Sequence, residues 1–291
     1  MSRPVDAVIS FLENEKAHGR SHVYLDEEAR ESLRNLLRRS KQQTAQAAAK
    51  PAATTPQPGQ TNQPGQQPAQ PAQAPATLSA TGTNKTEKLA SLRARAEHWQ
   101  PARSLGTLRD TMVFATGNPD ARILLVGEAP GHHEENKREP FVGPAGQMLD
   151  KILITMGLKR DDVYISNIVK FRPTTPRQTT NNRKPTPQEI ATCLPFIREE
   201  VAIVQPECII ALGGTAAEGL LGLEGPVGKM RGTWHEFSGI PTRVTYHPSY
   251  LLQSGSNLSV KRALWEDMLA AMEKLDMPIS EKQRGFFLPK P

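Results

Sequence analysis

The chain has little cysteine: Cys193 and Cys208 are the only two among its 291 residues. Two thiols are too few for a disulfide framework, or for a four-thiolate metal site built from one chain, so we expect both to be small buried apolar residues. No run approaches the roughly twenty apolar residues that a membrane span needs, and the N-terminus lacks the apolar core of a signal peptide. We therefore expect a soluble, cytoplasmic protein with no metal site.

Large apolar residues are almost missing from residues 41–84, which are rich in Pro, Gln, Ala, Thr and Gly. Such a segment cannot bury enough surface to offset the entropy of ordering it, so we expect a disordered linker. It separates a small helical segment at residues 1–40 from a globular domain at residues 85–277, and a tail at residues 278–291 follows. The first segment is too short for a catalytic domain, and we expect it to dock a partner protein.

The globular domain alternates two hydrophobic patterns. Short apolar runs bounded by turn residues predict strands, and apolar residues at three- and four-residue spacing predict helices. The clearest strands are expected at residues 123–126, 163–165, 208–212 and 243–246, and the clearest helices at residues 146–157 and 187–204. Helices that connect parallel strands cover both faces of the sheet. The sequence therefore predicts an α/β fold of three αβα layers around a central, mainly parallel four-stranded sheet.

Three polar segments each follow one of these strands. They are GEAPG at residues 127–131, SNIVK at residues 166–170 and HPSYLL at residues 247–252. In open parallel sheets, ligands bind beyond the carboxyl ends of the strands, so we expect the three segments to converge on one cleft. Taken singly, each segment is also what an ordinary strand-to-helix turn looks like, because such turns favour Gly, Pro and Asn.

The side chains of these segments have complementary chemistry. Glu128 offers a carboxylate that can hold a water, and Phe141 offers an aromatic face ahead of a helix. Asn167 has both a donor and an acceptor, and His247 can donate a hydrogen bond to developing negative charge. Together they suit a planar heterocycle that leaves as an anion. These are the functional groups expected of an enzyme that excises a base from nucleic acid.

Six longer motifs carry a specific resemblance. They are GEAPGHHEENKREPFVGPAGQMLD, VYISNIVKFRP, NNRKPTPQEIATC, IIALGGTAA, MRGTWHEFSGI and TYHPSYLL. Their content and order resemble the iron-sulfur type, or family four, of the uracil-DNA glycosylases. The likeness runs from residue 87 to about residue 270 and leaves out the first segment and the linker. It implies a monofunctional DNA glycosylase of base excision repair that flips uracil out of DNA and hydrolyses its N-glycosidic bond.

The resemblance also implies how the base is held. The flipped uracil would lie against Phe141, beside the backbone of Gly127 and Ala129. Asn167 would accept a hydrogen bond from N3–H of the base and donate one to O4. Glu134 would crowd C5 and so exclude thymine. Without the resemblance, Phe141 is equally well a core residue and Glu134 a solvated charge.

The same resemblance assigns the reaction and part of the DNA contact. His247 would donate to O2 of the leaving uracil, and Glu128 would position or activate the attacking water. Ser249 would contact DNA, and Tyr250 and Leu251 would enter the minor groove to fill the vacated space.

Basic residues in loops suggest further contacts with DNA. The formal net charge is +6 and the pI is near 9.4, which favours a polyanionic partner. We expect phosphate contacts from Arg172, Arg177, Arg183, Lys184 and Arg231. The alternative for each is a solvated charged loop. We expect a monomer, and the partner docked by residues 1–40 would be a repair or replication protein.

The chain departs from the family at its metal site and in one loop. Three of the four cluster cysteines are replaced, by Gln100, Arg103 and Phe171, and only Cys193 remains. One thiolate cannot hold an iron-sulfur cluster, so we predict an enzyme without one. The loop at residues 174–181 is longer than usual. In a uracil-trapping branch of the superfamily an insertion here carries a histidine that bonds covalently to the sugar. No histidine occurs between His133 and His235, so we predict turnover instead of trapping.

Two substitutions next to the matched motifs leave the target base open. Arg138 stands where a glycine is expected, and we expect it to narrow the mouth of the pocket. Gln253 stands where an arginine is often found, which removes one phosphate contact. The alternatives are a glycosylase for hypoxanthine or a modified pyrimidine, and a DNA-binding module without activity. A nucleotide-binding protein is a weaker alternative, because ALGGTAAEG lacks the spacing of the phosphate-binding motifs.

Overall fold

The structure is a computed structural model that describes residues 78–255 and 257–288. The predicted helical segment at residues 1–40 and most of the predicted linker lie outside the described residues. Among the described helices, none combines the length and the apolar character needed to cross a bilayer.

Helices and short strands alternate along the domain. The helices are α1 (Lys85–Glu97), α2 (Gln100–Arg103), α3 (His132–Lys137), α4 (Pro144–Met156), α5 (Pro187–Val204), α6 (Gly214–Leu221), α7 (Val227–Met230), α8 (Pro248–Gln253), α9 (Leu258–Lys274) and α10 (Glu281–Arg284). The strands are β1 (Leu108–Met112), β2 (Thr116–Gly117), β3 (Ile123–Gly127), β4 (Tyr164–Asn167), β5 (Phe171–Pro173), β6 (Cys208–Leu212), β7 (Trp234–Phe237) and β8 (Ile240–Thr245).

Six of these strands form the central sheet in the order β2-β4-β3-β6-β8-β7. The four inner strands are parallel to one another, whereas β2 and β7 pair antiparallel at the edges. The predicted α/β fold and its four parallel strands are confirmed. The two edge strands were not predicted, because one has only two residues and the other is largely exposed. Strands β1 and β5 form a separate antiparallel pair.

Burial explains why the inner strands form the centre of the domain. Every residue of β3 and β6 is buried, as expected when helices cover both faces of a parallel sheet. Helix α5 begins with a capping box, in which the Glu189 carboxylate accepts from the Thr186 amide (2.7 Å) and the Thr186 hydroxyl accepts from the Glu189 amide (3.2 Å). Helix α4 ends at Gly157 in the left-handed conformation, with φ of 84°.

The domain extends beyond both predicted boundaries. Leu78 and Ala80 pack against the core, and the Ala80 amide donates to Glu199 (2.9 Å). The predicted linker is therefore too long at its end. Likewise, the segment predicted as a tail includes α10, and Phe286 packs against the core. The two domain boundaries were placed wrongly because only a few apolar residues beyond them contact the core. So few contacts produce no periodic hydrophobic pattern in the sequence.

One buried ion pair joins α5 to the segment between β4 and β5. The Lys170 ammonium lies 2.5 Å from the Glu200 carboxylate and donates to the Ser166 hydroxyl (2.6 Å), and the side chains of the ion pair are inaccessible to solvent. Removal of either residue would leave the other charge buried without a partner, which is strongly destabilising.

Replacing Lys170 with methionine should therefore lower the free energy of unfolding by about 3–5 kcal/mol, because it leaves the Glu200 carboxyl buried and unpaired. Urea denaturation of the wild type and the variant measures the difference. The double variant Lys170→Met with Glu200→Leu is expected to lose less, because it removes both charges. A double variant less stable than Lys170→Met would contradict this account.

Candidate active site

The carboxyl ends of the parallel strands surround one cavity of about 380 Å³. Its walls come from the carboxyl end of β4, the segments that follow β3 and β8, the start of α4 with the turn before it, and the loop before α5. The lining residues are Glu128, Ala129, Pro130, Gly131, Glu134, Phe141, Ala145, Asn167, Asn182, Arg183, His247, Ser249 and Gln253. The structure thus places the three polar segments around one cleft, as their positions after strands predict.

Asn167 is the last residue of β4 and lies opposite Gly127 at the end of β3. Its side chain is almost fully buried and lines the cavity. A β-carbon on Gly127 would lie 2.4 Å from Asn167 Oδ1 and 2.5 Å from Phe141 Cζ. Glycine is therefore required at position 127, because no larger residue lets the amide and the ring approach each other beside the strand.

Phe141 is held in a strained turn ahead of α4. Its φ of 55° is left-handed, a conformation that costs a non-glycine residue about 1–3 kcal/mol. Arg160 offsets this cost by donating to the carbonyls of Phe141 (2.9 Å) and Pro140 (2.7 Å), and Asp150 holds the same guanidinium (2.9 Å). Sequence reasoning missed Arg160, which lies far along the chain and does not line the cavity.

The hydrogen bonds of His247 define its protonation. The Ser249 amide donates to Nδ1 (3.2 Å), and the Ser249 hydroxyl lies 2.8 Å from the same nitrogen. Since Nδ1 accepts, the neutral ring carries its proton on Nε2. Burial lowers the pKa of His247 to about 4, so the ring is neutral at physiological pH. His247 therefore offers a neutral N–H donor, and its ring centroid lies 5.6 Å from that of Phe141.

Glu128 is the carboxylate of the site. The Thr215 hydroxyl, at the start of α6, donates to Glu128 Oε2. Burial raises the pKa of Glu128 above the usual value for glutamate, although the bond from Thr215 opposes the shift. Thr215 was not predicted. It could have been found, because it follows β6 at the same sheet edge as the three polar segments.

Glu134 joins two walls of the cavity. One carboxylate oxygen accepts from the amides of Val142 (3.1 Å) and Gly143 (2.8 Å), and the other accepts from the amide of Gly131 (3.1 Å). The carboxylate thereby ties the GEAPG loop to the turn that carries Phe141. Its predicted role against C5 of the base remains a prediction, and its bonds show that it also fixes the shape of the cavity.

Residues 114–269 match the family described as the Uracil DNA glycosylase superfamily. The chain belongs to this superfamily. The match spans all the cavity segments, from β3 to the helix after HPSYLL, and the resemblance inferred from the motifs is confirmed.

Individual relatives agree with this assignment. A Type-4 uracil-DNA glycosylase of Thermotoga maritima is 42% identical over 165 residues, which cover 55% of this chain and 81% of the relative. A Type-4 uracil-DNA glycosylase of Pyrobaculum aerophilum is 37% identical over 153 residues, which cover 50% and 75%. A Type-5 uracil-DNA glycosylase of the same organism is 32% identical over 162 residues, which cover 50% and 69%. The chain is thus close to family four of the superfamily.

The structure corrects two of the predicted phosphate contacts. The guanidinium of Arg172 is buried, and it bonds to Glu135 (2.9 Å) and to the carbonyls of the loop before α5. Arg231 is mostly buried and bonds to Asp267 (2.8 Å). In both cases a carboxylate beside the guanidinium already accepts its hydrogen bonds and compensates its charge. Neither arginine therefore needs a DNA phosphate as a partner.

The other three cations predicted in the loop before α5 differ in solvent exposure and in the number of partners that they already have. Arg183 lines the cavity, but its guanidinium is bidentate to Glu189 and also donates to backbone carbonyls. Lys184 is more exposed and pairs with Glu218. Arg177 is exposed on the tip of the same loop. Of these three, Arg177 and Lys184 remain accessible for DNA, and Arg183 serves mainly to hold the loop.

The predicted minor-groove residues also need correction. Leu251 is only 7% exposed and packs in the core, so it cannot enter DNA in this conformation. Tyr250 and Leu252 are 43% and 44% exposed. The resemblance gave no orientation for the side chains of HPSYLL. This segment is helix α8, and successive residues of a helix point about 100° apart, which turns Leu251 inward and leaves its two neighbours outside.

The predicted cluster positions do not fit an iron-sulfur cluster. Cysteine thiolates are the usual ligands of these clusters, and Gln100, Arg103 and Phe171 supply none. Phe171 and Cys193 are buried, and burial raises the pKa of the Cys193 thiol to about 11. Nearby, Trp99 donates to the carbonyl of Thr192 on α5 (3.0 Å). Across residues 78–255 and 257–288, no three His, Cys, Asp or Glu side chains form a group that could hold a metal ion.

Proposed function

We propose that this protein is a monofunctional uracil-DNA glycosylase that hydrolyses the N-glycosidic bond of deoxyuridine and leaves an abasic site. One observation carries the proposal. A buried amide, a neutral imidazole, a carboxylate and an aromatic ring line the same cavity at the carboxyl end of the sheet. The names of the Type-4 and Type-5 relatives support it.

The cavity provides what a flipped uracil needs. Phe141 offers an apolar surface for the planar ring. The Asn167 amide has one acceptor and two donors, which match N3–H and O4 on the pairing edge of uracil. Cytosine presents an acceptor and an amino group at the same positions, so it would leave the amide mismatched. Removal of the base from the duplex also requires unstacking, which costs a few kcal/mol and is repaid by these contacts.

The two remaining groups act on the reacting bond. As the bond between C1′ and N1 breaks, the electron pair moves onto the uracil ring and its O2. The Nε2–H of His247 donates to that oxygen and stabilises the leaving anion. Glu128 accepts a proton from the water whose oxygen bonds to C1′. Thr215 holds Glu128 for this step, and Ser249 holds His247 in the tautomer that can donate.

This division of roles predicts the pH dependence of the reaction. Glu128 must be ionised to accept a proton, and burial raises its pKa above the usual 4.5. As pH falls through that raised pKa, kcat/KM should fall with it. His247, with a pKa of about 4, should add no ionisation near the ordinary histidine value of 6.5. A kcat/KM profile of the wild type and Glu128→Gln measures this, and the acid limb should disappear in the variant.

A limb near pH 6.5 that persists in Glu128→Gln would contradict the neutral assignment of His247.

Base release tests the proposal directly. Oligonucleotides carrying uracil, hypoxanthine, xanthine or modified pyrimidines, in single and double strands, are incubated with the protein and then cleaved at abasic sites with alkali. Strand cleavage at uracil alone is the expected result. Absence of cleavage at every base would overturn the proposal and favour a DNA-binding module. We also expect no protein–DNA adduct on denaturing gels, since turnover leaves the enzyme free.

A second candidate is a glycosylase for another base, and the loop before α5 favours it. Asn182 lines the cavity, and a β-carbon on Gly131 would lie 3.1 Å from its amide nitrogen. Arg172 fixes this position by donating to Asn182 Oδ1 (3.0 Å). Asn182, directly after the longer loop, therefore adds a polar group to the base cavity. Cleavage at a different base in the same panel would keep the mechanism and make Asn182 the first residue to replace in search of the changed specificity.

We further propose that the enzyme works without an iron-sulfur cluster, because the residues at the cluster positions do not fit one. Protein purified without oxygen should contain no stoichiometric iron after gel filtration and should show no charge-transfer absorption in the visible range. Elemental analysis and absorption spectra of the same sample measure this. Iron bound in a fixed ratio to active protein would contradict the proposal.

A further inference from the structure

A second cavity, of about 560 Å³, lies beside the active site. Its walls include the side chains of Arg109, Arg138, Arg172, His132, Glu135 and Gln178. None of these residues lines the base cavity. The lining is polar and carries three guanidinium groups against one carboxylate, so its net charge is positive.

The short helix α3 is the wall between the two cavities. Glu134 lines the base cavity, and its neighbour Glu135 lines the second one. Gly131 lines the first, and His132 lines the second. Residues that are adjacent in the chain thus line different cavities, and helix α3 separates the two cavities. The two cavities are therefore close neighbours.

The single carboxylate is already neutralised. Glu135 accepts from Arg109 Nε (2.9 Å) and from Arg172 (2.9 Å). Burial alone would raise the pKa of Glu135, but the bonds from Arg109 and Arg172 outweigh it and lower the pKa, so the carboxylate stays ionised. Arg172 has no capacity left, because its other donors serve Asn182 and backbone carbonyls. The excess positive charge therefore resides on Arg109 and Arg138.

Both of these side chains are available to a ligand. Arg109 uses Nε for Glu135, and its side chain is 48% exposed. The Arg138 side chain is 64% exposed, and its nearest carboxylate, on Glu97, is 3.8 Å away. Arg138 also has a left-handed φ of 54° at the end of α3, where glycine would cost less. Arg138 lines this second cavity and does not line the base cavity, whose mouth it was predicted to narrow.

We propose that this second cavity binds a backbone phosphate of the DNA strand next to the flipped nucleotide, through Arg109 and Arg138. Guanidinium groups match phosphate oxygens in charge and geometry, and Arg172 with Glu135 pre-positions the Arg109 side chain. The inference rests on the proposed function, because it takes DNA as the substrate. It assigns the phosphate contact to residues other than the buried Arg172.

The first test measures salt dependence of DNA binding, which does not require base release. Fluorescence anisotropy gives the affinity of the protein for a duplex with one 2′-fluorinated deoxyuridine, which resists hydrolysis, over a series of salt concentrations. In the double variant Arg109→Gln with Arg138→Gln, the slope of log K against log salt should fall by about 0.9 for the one lost phosphate contact. The matched control is Arg122→Gln, which removes an exposed arginine just before β3, at the opposite edge of the sheet. Its slope should equal that of the wild type.

The second test locates the phosphate. Single methylphosphonate linkages, which carry no charge, are placed at each position around a 2′-fluorinated deoxyuridine that resists hydrolysis. One position beside the flipped nucleotide should weaken binding by the wild type and have no further effect in the double variant. A penalty at that position that persists in the double variant would overturn the proposal, as would an unchanged salt slope.

A third variant separates binding from folding. Arg138→Gly removes the charge and relieves the left-handed strain, so its free energy of unfolding should rise while its DNA affinity falls. Loss of affinity together with loss of stability would show that Arg138 is structural and would overturn the proposal. Inorganic phosphate that stabilises the wild type, without any change in the DNA salt slope of the double variant, would assign the cavity to a free anion and overturn it too. If base release fails but these binding results hold, the proposed function alone is wrong.

Discussion

Replacing His247 with alanine is expected to slow base release by about 10²–10³-fold, because it removes a hydrogen-bond donor aimed at charge that develops in the transition state. The uncharged ring supplies its Nε2–H without a proton transfer, since Nδ1 is occupied by the Ser249 amide. Affinity for uracil-containing DNA should change little, because the contribution of this bond is largest when the bond to the sugar breaks. Single-turnover rates at saturating enzyme, together with anisotropy measurements, separate the two quantities.

Ser249→Ala is the matched control for His247→Ala. It deletes the hydroxyl 2.8 Å from Nδ1 but keeps the backbone amide that donates to the same nitrogen. The tautomer is therefore preserved, and the loss of rate should be much smaller than in His247→Ala. Equal losses in both variants would show that the hydroxyl, and not the amide, sets the tautomer.

Replacing Gly127 with alanine is expected to reduce base release by at least about 10²-fold, the size of effect that small misplacements near reacting groups produce. The new β-carbon would lie 2.4 Å from Asn167 Oδ1 and 2.5 Å from Phe141 Cζ, distances at which something must move. The amide and the ring would separate, and the flipped base would lose both its hydrogen bonds and its apolar contact. Single-turnover rates on a uracil duplex measure the effect.

Gly228→Ala provides a comparison in which the same substitution is sterically permitted. Its β-carbon would lie 3.5 Å from the Tyr246 hydroxyl, an ordinary contact, and its φ is not left-handed. The rate of this variant should remain close to that of the wild type. Thermal unfolding of both variants checks that the loss in Gly127→Ala does not come from a collapsed fold. A Gly127→Ala enzyme with the wild-type rate would show that the close approach of Asn167 and Phe141 is not needed.

Much of the site could be predicted from local sequence. Glu128, Asn167 and His247 each lie at or just after the carboxyl end of a strand, and the ends of parallel strands meet at one edge whatever the lengths of the helices between them. The same logic would have found Thr215. It could not have found Arg160, which acts on backbone carbonyls from outside the cavity. Every residue has a backbone carbonyl, so the sequence does not show which carbonyls accept a hydrogen bond from a distant side chain.

The protonation of His247 was also beyond local reasoning. A histidine in HPSYLL is an ordinary donor or acceptor until the amide of Ser249 is seen to point at Nδ1. Burial by surrounding elements then lowers the pKa of His247 to about 4. Both effects depend on the distance and orientation of neighbours. The chemical role could be inferred from the sequence, whereas the reason that the ring can perform it came from the structure.

The sequence by itself determined the α/β fold, the superfamily and the residues that meet at the base cavity, because the hydrophobic period, the succession of strands and helices along the chain and the motifs are all properties of nearby residues. Only the tertiary structure decided which cations are free to meet DNA. Arg172, Arg183 and Arg231 are occupied by Glu135, Glu189 and Asp267, whereas Arg109 and Arg138 keep exposed guanidinium groups. The sequence shows that an arginine carries a charge. Whether that charge can contact DNA depends on which carboxylates the fold places beside the guanidinium.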